Sequence, residues 1–417
     1  MVKHAPEQEE AFGAAPHERP VPRISIDAFI EFPDTGAALQ RAGSDRRLAK
    51  THLNVQLGGI NAAIEHFQGQ VTPNLLVVET RLNGQAALEE LDRLAEVCDP
   101  SSKVVVVGRV NDVELYRELM RRGASEYLVA PLNPLHLIEV ISGLYSDPQA
   151  APIGRIISFV GARGGAGSST LSHNVGWCIA EELSINTTIV DLDLPFGTTG
   201  LDFNDEPSQG VADALSAPER LDDVLLDRLL VKRGDHLSIF STAAAIDRDY
   251  DATPDAFESV LDAVRQSTPC VIVDVPHLWT PWIKATLIGS DDIVLVATPD
   301  LASLRNTKNI VELLRLNRPN DTPPRLVLNQ VGVAKRPEIP VKDFAETIGI
   351  EAALVMPFEP HLFGQAANNG QMLNELAPKS PVAFGIRRLA ELATGRVPQP
   401  VQKASPLLSI FSGKKRA

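Results

Sequence analysis

The strongest chemical signal in the chain is the ten-residue stretch Gly161 to Thr170, GARGGAGSST. It follows the apolar run RIISFV (155–160), which reads as a buried parallel strand, and precedes 171–180, whose apolar spacing suits a helix packed on a sheet. A strand, a glycine-rich turn and a helix start form a ready anion site. Glycines let successive N–H groups turn inward, and the helix N-terminus adds partial positive charge. A purely structural turn is the alternative, but four glycines in seven residues favour a phosphate cradle. A P-loop of the form GxxxxGK[ST] places lysine directly after its last glycine. Aligned on Gly167, that position is Ser168; Ser169 falls where a Mg²⁺-binding hydroxyl belongs, and Thr170 follows. The loop's main point charge is absent.

Carboxylates converge on the same place. NTTIVDLDLPFG (186–197) reads as an apolar strand ending in Asp191 and Asp193, and CVIVDVP (270–276) as a buried strand closed by Asp274. Open α/β sheets put ligand contacts at such strand carboxyl ends. Three carboxylates gathered there without a cation would repel one another, so a Mg²⁺–nucleotide role is the better reading of the three.

The elements that must position these residues alternate strand and helix throughout. In the first part, strands are expected at 24–30, 51–57, 74–80, 103–108 and 126–130, with helices around 35–49, 60–68, 85–97, 111–122 and 133–145. Five βα units imply a doubly wound, flavodoxin-like domain. After the glycine loop, further strands are expected at 237–242, 292–300 and 324–331, with helices at about 254–267 and 380–394. The fold class is therefore α/β, with two doubly wound domains, the second a P-loop domain on a mostly parallel sheet. The expected division is a disordered arm (1–22), a first domain (23–148), a linker (149–154), the P-loop domain (155–397) and a flexible tail (398–417).

Composition narrows the function. The chain has 417 residues, enough for two cores, and 44% hydrophobic content with no run approaching a membrane span. Cys98, Cys178 and Cys270 lie far apart in or beside apolar runs and read as reduced core thiols of a cytoplasmic protein. A net charge of −14 argues against non-specific DNA binding, so no nucleic-acid partner is expected. In the tail, Leu407, Leu408, Ile410 and Phe411 precede Lys414, Lys415 and Arg416. That pattern suits a weak inner-membrane anchor, a docking peptide or a plain linker.

Two resemblances follow from these residues. GASEYLVAPL (123–132) resembles the end of a response-regulator receiver, a family with a phospho-acceptor aspartate and a lysine. Glu79 and Ala130 stand at those positions, and Val107-Gly108-Arg109 replaces the family's hydroxyl. The resemblance thus implies a docking or dimerisation module in preference to a phosphorylatable switch. Glu79 either imitates a charged state or merely ends a strand.

The succession GxxGGxGxST, DLDxxFG, VIVDVP, ATPDxxSxR, LVLNQ and MPF resembles the deviant-Walker ATPases of the ParA/MinD group over nearly all of 153–395. In that group, the resemblance implies, Arg163 stands for the signature lysine that reaches the partner subunit's nucleotide. Gly164, Gly165, Ala166, Gly167, Ser168, Ser169 and Thr170 wrap the phosphates of ATP. Ser169, Asp191 and Asp274 serve Mg²⁺, and Asp193 is the water-positioning catalytic carboxylate. Asn329 reads adenine, with a turn cap as its alternative, and Pro357 and Phe358 flank the base. A receiver-like module before such a domain is similar to the CpaE/TadZ pilus-assembly family. That implies an ATP-binding homodimeric scaffold, slow or inactive in hydrolysis, which works with pilus or secretion machinery, including its secretion ATPase, at a cell pole. A turning-over MinD/ParA-like ATPase, or a response regulator gating one, is the alternative.

Overall fold

The computed structural model describes residues 21–145, 153–205, 209–242, 250 and 252–396. Most of the expected arm, residues 149–152 of the linker and the tail lie outside the described residues. Val21 and Pro22, assigned to the arm from sequence, are described. Val21 is buried in the first core, and its N–H donates to the Arg47 carbonyl at 3.0 Å.

Among the described residues the strands form two sheets. The first holds β1 (Ser25–Ile30), β2 (His52–Leu57), β3 (Leu75–Glu79), β4 (Lys103–Gly108) and β5 (Glu126–Val129). Its order is β2-β1-β3-β4-β5, all parallel. Residues 75–79 and 104–107 are buried on both faces because helices cover both sides, which is why they read as unbroken apolar runs. The expected helix 35–49 is shorter than its apolar pattern. It spans Pro33–Gly43, and Asp45 then caps a separate turn, Arg46–Leu48, by accepting the Arg47 N–H at 3.0 Å. The capping carboxylate stops the helix.

Glu79 ends β3 and is fully buried. Its carboxylate accepts the N–H groups of Glu31 and Phe32 at 2.8 and 3.0 Å and the Thr35 hydroxyl at 2.8 Å. A carboxylate spent on three donors ties the end of β1 to β3. It acts as a structural bolt between the two strands.

The second sheet contains β6 (Arg155–Gly161), β7 (Thr187–Asp191), β8 (Val231–Arg233), β9 (Leu237–Phe240), β10 (Cys270–Val275), β11 (Asp292–Ala297), β12 (Arg325–Val331) and β13 (Ala352–Pro357). The order is β13-β12-β11-β6-β10-β7-β9-β8, with only the β8–β9 pair antiparallel. β8 and β13 are edge strands, short or half-exposed, so their sequences lack the buried-strand pattern. β7 stops at Asp191, earlier than its expected end. The Asp193 N–H folds back onto Asp191 Oδ1 at 3.0 Å, and Pro195 follows. β11 likewise stops at Ala297, and Asp300 caps the next helix, Leu301–Asn317. With β6 between β10 and β11, the crevice beyond its carboxyl end is the switch point where such sheets bind ligands.

The two sheets are joined at the opposite, amino-terminal edge of the second. Arg46 donates to Asp321 Oδ2 at 2.8 Å and to the Gly289 carbonyl at 3.0 Å, and pairs with Asp291 at 3.5 Å. Asn320 donates to Asp45 at 2.9 Å, and Lys50 pairs with Glu258 at 2.8 Å. Burial alone would raise the Asp321 carboxyl, but Arg46, Arg318 and Arg47 hold it below its usual 3.8. A carboxylate so depressed stabilises the fold above the unfolded pKa and loses that contribution as pH falls through the folded one.

Arg46→Met should therefore lower stability in urea melts by about 2 kcal/mol, because it strands Asp321 and Asp291 with fewer partners. In the wild type, small-angle scattering should show the two units parting only below about pH 4. A second expectation concerns Glu79. Acetyl phosphate with Mg²⁺ should leave the intact mass of the chain unchanged, whereas Glu79→Ala should cost about 3 kcal/mol by leaving three donors unpaired.

Candidate functional site

The glycine loop leaves β6 and enters the helix Ser168–Trp177 with Gly165 (φ 76°) and Gly167 (φ 88°) in the left-handed region. A Cβ on Gly167 would also stand 2.4 Å from Asn329 Nδ2, so glycine is required there twice over. The loop's carbonyls are drawn onto neighbouring side chains. Asn306 Nδ2 donates to Ala162 at 2.8 Å, Gln330 Nε2 to Gly165 at 2.9 Å and Asn329 Nδ2 to Ala166 at 2.8 Å. Because a trans peptide sets C=O and N–H on opposite sides, pulling the Ala166 carbonyl onto Asn329 turns the Gly167 N–H away from it.

Beside the loop lies a cleft of about 320 Å³ lined by Gly165, Gly167, Thr170, Asn329, Phe358 and Phe363, among others. The structure thus brings Asn329, Pro357 and Phe358 to the loop, as the sequence implies. Asn329 is buried, however, and its side chain serves the loop itself: Nδ2 holds Ala166 and Oδ1 accepts the Gln330 N–H at 2.8 Å. Gln330, in a left-handed conformation, went unnoticed from sequence, as did Asn306. Their only sequence signal is an amide side chain next to a strand end or in a helix.

Ser168 opens the helix, buried, and its hydroxyl has no partner. Where a lysine would reach out, the chain places an unspent polar atom. Ser169 and Thr170 are half-buried beside it. Arg163 is half-exposed and pairs with Asp300 at 3.3 Å, so it points along the sheet's carboxyl edge.

Below the loop, Asp191 and Asp274 sit opposite each other in the register of β7 and β10. Asp191 accepts the Thr199 hydroxyl at 2.6 Å and the Asp193 N–H. Burial, then repulsion from Asp274, pushes it up to about 6, against opposing help from His173 and Thr199. Asp274 is 2% exposed, and its Oδ1 has no partner. Asp193 lies outside this cluster in the following turn, where it accepts the Phe196 N–H at 3.2 Å, and burial raises its carboxyl.

The residue sequence reasoning missed is His173, on the helix that follows the loop. It is fully buried, with Nδ1 2.6 Å from Asp202 and Nε2 2.8 Å from Thr199 Oγ1 and 3.6 Å from Asp274. Burial alone would lower it, but Asp202 and Asp274 push it up to about 10. A histidine within SHNV invites reading as helix filler, because its partners lie on β10 and beyond β7.

No protein-family model matches the chain. A ParA family ATPase from Chlorobium tepidum TLS is 25% identical, over 57% of this chain and 98% of that one, with a TM-score of 0.51. The septum site-determining protein MinD of Pyrococcus horikoshii OT3, solved with Mg-ADP, is 21% identical over 59% and 99%, with a TM-score of 0.52, a likeness of fold. The second sheet and its loop are thus of the ParA/MinD class. The N-terminal region matches a pilus assembly protein CpaE from Caulobacter crescentus CB15, 50% identical over 98% of that chain and 31% of this one, with a TM-score of 0.30. On that sequence identity, the chain is a CpaE-like member of the ParA/MinD ATPase family.

Gly167→Ala tests the loop's construction. It should lower the melting temperature by several degrees, through a left-handed residue with a Cβ and a displaced Asn329. Part of that loss should return in the double variant with Asn329→Ala, as calorimetry would show.

Proposed function

We propose that the protein is an assembly and localisation factor for a Flp/Tad-type pilus, acting as an ATP–Mg²⁺-binding homodimeric scaffold with slow or absent hydrolysis. The observation that carries the reading is Ser168: a complete glycine loop, flanked by a nucleoside-sized cleft, with a buried serine in place of lysine. The pilus assignment rests on the likeness to the Caulobacter pilus assembly protein. Pilus or secretion proteins, including a secretion ATPase, are the partners this reading implies, in the cytoplasm or at the inner membrane near a pole. Among the described residues no helix is long and apolar enough to cross a membrane.

The residues present fit the nucleotide. Backbone N–H groups of Gly164 to Thr170 would hold the phosphates, Ser169 with Asp191 and Asp274 would hold Mg²⁺, and Phe358 would cover the base. Mg²⁺ when bound supplies the positive charge that lets anionic phosphates approach buried carboxylates. Asp274 Oδ1, buried without a partner, is the atom that such a cation would satisfy. Asp193, half-buried with a raised carboxyl, would be the carboxylate that orients a water, with Ser168 and no lysine following the loop's last glycine. A cation opposite developing phosphoryl charge contributes about 10³–10⁵ in rate, judged from arginine fingers, so its loss leaves binding more intact than turnover.

The homodimer has support at the same edge. Phe196, Leu201, Leu278 and Trp279 stand more than half exposed on segments beyond β7 and β10. Clustered exposed apolar groups of this size mark contact surfaces. Arg163, projecting from the loop beside Asp300, would reach a facing copy.

Ser168→Lys should tighten ATP about ten- to hundredfold in isothermal titration, the worth of one charge-assisted hydrogen bond. Arg163→Ala should weaken ATP-dependent dimerisation in light scattering more than nucleotide binding by the monomer. Wild-type phosphate release as fast as that of an ordinary turning-over ATPase would replace the scaffold with a hydrolysis cycle.

A further inference from the structure

His173, Asp191 and Asp274 each offer one donor atom within 4.8 Å of the others, and all three residues are buried. The hydrogen bonds around the ring fix what these atoms need. The single proton of Thr199 Oγ1 belongs to Asp191 Oδ2, 2.6 Å away, where the carboxylate can only accept. Thr199 therefore turns a lone pair toward His173 Nε2 at 2.8 Å, and Asp274 Oδ2 stands 3.6 Å away. Nε2 thus faces oxygen acceptors alone, and something positive must lie between them: a proton or a metal ion. Nδ1, by contrast, is settled, since it donates to Asp202 at 2.6 Å.

Three further features separate the two. A ring nitrogen bonded to a carboxylate while the other faces acidic oxygens is the arrangement in which imidazole ligates a metal, with Asp202 fixing the tautomer. Asp274 Oδ1, buried and unpartnered, is left unserved by a proton on Nε2, whereas an ion between the carboxylates would reach it. Charge points the same way. Asp191, Asp202 and Asp274 bring three carboxylates to one ring, so a single proton leaves the cluster strongly negative and a divalent ion does not.

We propose that His173, Asp191 and Asp274 form a divalent-metal site under the glycine loop, selective for a transition metal such as Mn²⁺ or Zn²⁺ over Mg²⁺ through its imidazole ligand. Oxygen-only sites suit Mg²⁺, and a nitrogen ligand shifts preference along the series toward the later metals. The inference rests on the reading of Asp191 and Asp274 as cation ligands and deepens it: with His173 added, all three ligands stand together without a nucleotide, and the ion they select would take the place given above to Mg²⁺. Asp202 and Thr199 are positioning residues, one holding the ring and the other Asp191.

The test uses the full chain and the metal alone. After dialysis against Mn²⁺ and then excess Mg²⁺, without nucleotide, about one Mn²⁺ per chain should remain by elemental analysis. Its pulsed electron paramagnetic resonance spectrum should carry ¹⁴N coupling from the ring, a readout that needs no variant. Asp202→Asn should weaken Mn²⁺ about 10–100-fold, the usual effect of losing such a support. His173→Gln should remove the ¹⁴N signal. Retention of no Mn²⁺, or of Mn²⁺ without ¹⁴N coupling, would overturn the proposal and leave the ring as a protonated internal counter-ion. Failure of ATP to bind would leave this result untouched, so the two readings stand or fall separately.

Discussion

Asp191 and Asp274 lie in register at the carboxyl ends of two neighbouring parallel strands, in a place too dry to ionise both without help. Most of what surrounds the loop answers that constraint. Thr199 and the Asp193 N–H quiet Asp191, His173 leans in from the helix above, and Asp202 holds the ring upright. Gly197 is needed because a side chain there would strike Asp191 Oδ2 at 2.4 Å. The helix, the turn after β7 and the strand ends are therefore fixed by one electrostatic requirement. The glycine loop rests on top of it.

The loop is supported from its side by amides. Asn306, Asn329 and Gln330 take its carbonyls, so its shape owes nothing to a lysine. A loop pre-shaped by neutral groups can keep its donors aligned when the point charge is gone. This separates geometry from charge: the backbone cradle survives substitution at Ser168, while the electrostatic pull it would exert on a phosphate does not.

The alternation of elements was legible because parallel strands covered on both faces must be apolar throughout, as in 75–79, 104–107 and 270–273. Edge strands β8 and β13 escape that rule, and so they were invisible. The loop and Asp191, Asp193 and Asp274 could be found because glycine spacing and carboxylates closing apolar runs are local patterns. Glu79 could be located but not understood, since its three donors lie 44 to 48 residues earlier. His173 illustrates the limit best. Its partners are 26 to 101 residues away on other elements, and no spacing in the chain announces them. Asn329 shows the converse: it lies beside the loop, but its side chain already has work there.

The junction through Arg46 and Asp321 lies at the amino-terminal ends of the second sheet's strands, as far along them as possible from the glycine loop. Any assembly that closes over the loops must then carry its first units outward, one at each end. In the homodimer proposed above, such a body would present two identical first units at a fixed separation. Were those units to dock on a repetitive machine, each attached module would raise the effective concentration of the other, and weak individual contacts would add up to a long-lived attachment. Spacing between modules, set by the length of the sheet, would select which arrays of partners can be gripped at both ends at once.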